Sequence, residues 1–139
     1  MRQNPLITLV VLIIILNLGH TGDHFARGDF RWPVTVESAP PIIVTLAINA
    51  ILCFGLYFYL KNRVGPLFWA IVAGTGVAFG WLAHLSPFTE QTPQYICAYE
   101  TSALGWLAVA RLAAPMLVLI VAAIYAEYLW ARGVQSRFR

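Results

Sequence analysis

Four stretches of this chain are long enough and apolar enough to cross a lipid bilayer, and no other feature constrains its fold as strongly. A helix needs about 20 mostly apolar residues to span the hydrocarbon core. The first stretch runs from Pro5 to about His24, with Leu6–Leu16 apolar except for Thr8. The others run from Pro41 to Leu60, from Pro66 to about Ser86, and from Ser102 to about Ala131. Pro5, Pro41 and Pro66 open three of them, at a position where a missing N–H costs a helix nothing. Membrane strands would alternate apolar and polar residues over about 10 positions, and these runs do not alternate. The expected fold is all-α, a single membrane domain over residues 1–139. It consists of four transmembrane helices in an antiparallel up-down bundle, with outer loops at about 25–40 and 87–101.

Composition excludes an ordinary soluble domain. Charged residues make up 11% of the chain and hydrophobic ones 60%, where soluble domains carry about a quarter charged. The end of the first stretch, Asn17-Leu18-Gly19-His20, lacks the small-x-small pattern of a signal-peptidase site, so this stretch is expected to remain as a span.

Charge sets a direction. With the N-terminus inside, Arg2, Lys61, Arg63, Arg132, Arg137 and Arg139 fall on one side, Arg27 and Arg31 on the other, and Arg111 within a span. Lys and Arg collect on the cytoplasmic side, so both termini are expected there, in a membrane of the bacterial cytoplasmic type. The net charge of +3 then reflects topology and contact with membrane lipids, not nucleic acid. Trp81 and Trp106 are expected at the outer interface, and Tyr57, Tyr59, Trp69 and Trp130 at the inner one.

The chain's three histidines fall at one depth in this topology. His20 and His24 end the first span and His84 ends the third, and these spans run in the same direction. Residues at i and i+4 sit roughly 6 Å apart on one helix face, a spacing that suits two ligands of one metal ion. His84 would complete the set, with Asp23 or Glu90 as a supporting carboxylate, Glu100 nearby in sequence and Cys97 as a soft donor. Imidazole with carboxylate suits zinc, iron or copper. Haem, with His20 and His84 as axial ligands, is the second reading. The bland alternative is a set of interfacial histidines favoured by helix C-terminal dipoles.

Arg111 lies about nine residues into the fourth span, roughly 13 Å below its outer end by helical rise. Charges at such depth face the bundle or a wet cavity. It is expected to reach Asp23, Glu90 or Glu100, or to donate to Asn17 and Asn49, either as an internal ion pair or as an anchor for an anionic ligand. Pro115, one turn on, is expected to kink the helix. Thr45, Asn49 and Cys53 form one stripe on the second span, and Gly76, Gly80 and His84 another on the third, the glycines allowing close helix approach.

The leading functional expectation is a metal-binding pocket at the outer face. With an open coordination position it would be a membrane-embedded enzyme acting on a lipid-like substrate. A non-catalytic accessory subunit, bound to a membrane-protein partner or to further copies of itself, is the rival. A transporter ranks last, because the inner half holds few polar residues beyond Cys53 and Thr75.

Overall fold

In the computed structural model the described residues are 4–26, 28, 30, 33–36, 39–89, 92–99 and 102–135. They form five helices and, among the described residues, no strand. These are α1 (Pro5–Ala26), α2 (Ala39–Leu60), α3 (Pro66–His84), α4 (Pro93–Tyr99) and α5 (Ser102–Gln135). All but α4 are long and apolar enough to cross a membrane. Helix α5, at 34 residues, is about 51 Å long by helical rise and exceeds the ~30 Å hydrocarbon core. It continues through Pro115 without a break. Helix α4 lies inside a segment that the sequence suggests is a loop; at 7 residues it is too short to carry a periodic signal. Arg2, Arg27, Arg31, Arg137 and Arg139, among the charges behind the expected sidedness, lie outside the described residues.

The helix boundaries follow from local chemistry. Asn4 caps α1: its Oδ1 accepts from the Leu6 N–H at 3.1 Å, and Pro5 takes the first position. Helix α2 ends in a Schellman turn, with Asn62 at φ 54°. There the Arg63 N–H donates to the Phe58 carbonyl at 2.8 Å and the Asn62 N–H to that of Tyr59 at 3.0 Å. This closes the last carbonyls of the helix. Gly65 and Pro66 then start α3.

Helix α5 is the common packing partner. Helices α1, α3 and α4 all lie against it, while α2 packs mainly on α1. The main core joins Leu6, Val10 and Ile13 of α1, Leu52 of α2, Trp69 and Ala73 of α3, and Ala122 and Ala126 of α5. Small residues bring α3 close to α5: a Cβ at Gly76 would sit 3.3 Å from Leu119, and one at Gly80 would run into the Met116 sulfur. Trp69, in the first turn of α3, is packed inside the bundle and 1% exposed. The reason is Gly55, which faces the rings of Phe68 and Trp69 and leaves them room.

Most of each span faces outward instead. Ile43, Leu46 and Phe54 of α2 and Leu117, Val121 and Ile124 of α5 are all exposed. Trp81, Trp106, Tyr57 and Trp130 are exposed too. So continuous an apolar surface is a liability in water and the natural solvent contact in lipid.

Gly105 is where α4 meets α5. A Cβ there would lie 2.7 Å from the Cys97 carbonyl oxygen and 2.8 Å from its Cα, so backbone must move. Gly105→Ala is expected to lift α4 from α5 at a cost of about 1–3 kcal/mol. In a Cys53→Ala background, the Cys97 thiol should then react several-fold faster with a maleimide, and an unchanged rate would refute the contact.

Candidate metal centre

The last two turns of α1 and the last residue of α3 carry the histidines. Helix α1 supplies His20 and His24 one turn apart, with Asp23 between them on the chain. His84 is held by an end that is fully capped. The Leu85 and Ser86 N–H groups both donate to the Trp81 carbonyl, at 2.8 and 2.9 Å. The Ser86 hydroxyl donates to the Leu82 carbonyl at 2.8 Å, and the Thr89 hydroxyl to that of Ala83 at 2.6 Å. Ser86 is 2% exposed. Carbonyls that would otherwise be orphaned next to His84 are thus satisfied, which keeps the final turn rigid.

The three rings converge. Ring centroids lie 4.7 Å apart for His20–His24, 5.2 Å for His20–His84 and 6.0 Å for His24–His84. One ligating nitrogen from each lies within 4.8 Å of the others. His20 Nε2 and His24 Nε2 are 3.2 Å apart. Two nitrogens bound to one tetrahedral ion at zinc–nitrogen distance stand roughly 3.3 Å apart, so this pair already has the spacing of a shared ligand set. The same distance is that of a hydrogen bond between the two rings; the third imidazole, with a nitrogen within 4.8 Å of both, adds a further potential ligand to the pair. His84 is buried, 7% exposed, and Phe30 lies against the His24 ring with centroids 5.6 Å apart, itself packed on Phe25. Phe30 thus packs on one side of the cluster, with Phe25 itself largely exposed. No sequence signal points to Phe30, which lies in none of the helices.

Beside the rings is an ion pair. Arg111 Nη1 of α5 donates to Asp23 Oδ1. The Asp23 side chain is 9% exposed and that of Arg111 48%. Asp23 Oδ2 is buried and, among the described residues, has no hydrogen-bond partner. Pro115 lacks the N–H that would bond the Arg111 carbonyl in a regular helix, so α5 carries a second loosened polar group at this level.

Of the other residues singled out from sequence, Asn17 and Asn49 do not meet Arg111. Asn17 donates to Asn49 Oδ1 at 3.1 Å, and Asn49 donates on to the Thr45 carbonyl at 2.8 Å, so this polar layer ties α1 to α2. Each amide is thereby engaged inside a nearly apolar segment. Cys97 lies on α4, half-buried, and is not among the ligand atoms that gather with the three histidines. Glu90 and Glu100 lie outside the described residues. Neither a protein-family model, nor a curated protein, nor a solved structure matches this chain, so its chemistry is read from its own geometry.

Removing Arg111 would leave a buried carboxylate without its cation. Arg111→Gln is expected to destabilise the protein by about 1–3 kcal/mol, less than the figure for a fully buried pair because the guanidinium is half-exposed. Asp23→Asn in the same chain should restore part of the loss. A double-mutant cycle of unfolding in detergent measures this, and strictly additive losses would show that the two groups do not interact.

Proposed function

We propose that this chain is a multi-pass membrane protein that holds one transition-metal ion at His20, His24 and His84. The convergence of three ring nitrogens within 4.8 Å, from two helices far apart in sequence, carries this reading. The four long helices alternate in direction as an up-down bundle with both termini cytoplasmic, which places the histidines at the outer ends of α1 and α3. Contacts such as Asn4 with Tyr59 at one end of α1 and Asp23 with Arg111 at the other support that arrangement. In sequence, Lys and Arg are biased toward the α2–α3 turn and the termini.

An all-imidazole set suits zinc, copper or iron. Three protein ligands is also the number found in catalytic zinc sites, where the fourth position belongs to water or substrate. The reading extends to a membrane-embedded metalloenzyme acting on a lipid-like substrate, with Asp23 and Arg111 as the polar wall beneath the metal. Glu90, six residues beyond His84, is the candidate carboxylate for completing or orienting the set. Haem fits less well. Iron bound axially by His20 and His84 needs a clear porphyrin plane between the rings, and His24 Nε2 stands only 3.2 Å from His20 Nε2.

A second reading, a non-catalytic subunit of a larger membrane complex, draws on α2. That helix packs mainly on α1 and turns Ile43, Leu46 and Phe54 outward, a face that a partner or another copy would cover. Mild-detergent extraction separates the two: a small metal-loaded particle favours the first, a large co-purifying assembly without metal the second.

Elemental analysis of the purified full-length chain is expected to find about one zinc, copper or iron per molecule. His24→Ala and His84→Ala should each lower affinity at least tenfold, consistent with the loss of one of three ligands. Wild-type protein that takes up no metal after supplementation would end this proposal. Reporter fusions at residues 1 and 139 should both be cytoplasmic, and an outer signal from either would overturn the topology.

A further inference from the structure

The end of the molecule away from the histidines holds a second polar site. We propose that the α2–α3 turn binds the phosphate of an anionic phospholipid headgroup. Two adjoining recesses meet there, of about 440 Å³ and 370 Å³, and Arg63 lines both. The larger is in the size range of small-ligand sites, ~300–1,000 Å³. Its polar lining comes from Asn4, Tyr59, Asn62 and Arg63, and its apolar wall includes Ile7 and Pro66. Lys61 borders the smaller one, with its ammonium 5.9 Å from the Tyr57 ring centroid.

The charge here is one-sided. Among the described residues no carboxylate lines either recess, and neither Lys61 nor Arg63 is ion-paired. The remaining polar groups, two amides and a hydroxyl, can donate. A donor-rich, cationic recess suits a phosphate monoanion, and the planar fork of arginine matches phosphate oxygens.

The site is also fixed in shape. Asn62 sits in the left-handed region at φ 54°, which holds Arg63 at the fixed position of the Schellman turn. Asn4 donates to the Tyr59 hydroxyl at 3.3 Å, which links the start of α1 to the end of α2 at the recess. Its place at the ends of apolar spans is the level of lipid headgroups, and its apolar wall continues onto the outward faces of those spans. Basic residues at this level attract anionic lipid, so a headgroup, with its acyl chains on the apolar wall, is the favoured source of the phosphate. The proposal needs the helices to lie in a bilayer and is independent of the histidine site.

The test uses the full chain in phosphatidylcholine nanodiscs that contain a trace of spin-labelled phosphatidylglycerol or spin-labelled phosphatidylcholine. Electron spin resonance reads the motionally restricted fraction of each label. Wild-type protein is expected to retain phosphatidylglycerol in preference to phosphatidylcholine. The double variant Lys61→Gln/Arg63→Gln should lose on the order of tenfold of that preference, the scale of two basic contacts with an anionic headgroup. Lys61→Arg/Arg63→Lys, which keeps both charges and guards against a folding defect, should retain most of it. Arg132→Gln, which removes a cation stacked on Tyr128 outside the recess, should also retain it. No preference in wild type, or the same preference in the double glutamine variant, would overturn the proposal. So would an equal loss in Arg132→Gln, which would mean a diffuse basic surface. Release of the labelled lipid by millimolar inorganic phosphate would assign the recess to a soluble phosphate instead. Metal content measured on the same samples should not change across the series, so failure of the histidine site would be seen separately.

Discussion

The contact between Asp23 and Arg111 fixes how α1 meets α5, and the grouping of the histidines follows from it. Helices α1 and α3 reach one another through α5 more than by direct packing. The ion pair holds the last turn of α1 against α5, while Gly76 and Gly80 let α3 approach the same helix within contact of Leu119 and Met116. Two helix ends anchored to one long strut arrive side by side, and His20, His24 and His84 are brought into reach of one another. The Asp23 carboxylate is buried and the Arg111 guanidinium half-exposed, so the carboxylate is the member that depends on the contact.

Hydrophobic patterning told much of this in advance, because length and continuity of apolar residues report directly on what solvent a helix can face. The positions of the spans needed no packing detail, and neither did the expectation that His20, His24 and His84 would lie at one depth. Packing detail decided the rest. Trp69 is buried because Gly55 on a neighbouring helix leaves it room, which spacing along the chain does not reveal. Asn17 and Asn49 have each other as partners, which depends on how α1 and α2 are rotated, and a run of nearly uniform hydrophobicity gives little information about rotation. Helix α4 is shorter than two full turns and carries no amphipathic signature. Phe30, itself in none of the helices, packs on His24, where helical spacing rules do not apply.

Polar groups in this protein are arranged in layers rather than gathered in one pocket. At one end lie the rings and the Asp23–Arg111 pair. The Asn17–Asn49 bond comes next along α1, and the donor-rich turn at Lys61–Arg63 lies at the far end. Between them, the apolar core of Val10, Trp69, Ala73 and Ala122 separates the charged levels. The Asn17–Asn49 layer closes its hydrogen bonds within the protein, while the layers at the two ends keep polar groups available.

That core has a further consequence, because it is confined to one half of the molecule's length. The buried side chains concentrate where α1 and α3 begin, whereas the histidine end has a small satellite of Ala108 and Leu112 and relies on caps and charge. The two ends therefore answer to different pressures. Side-chain exchange around the rings can alter which ligand is favoured while the remote half keeps the chain folded, so a scaffold of this kind can acquire new chemistry at one mouth with little loss of integrity.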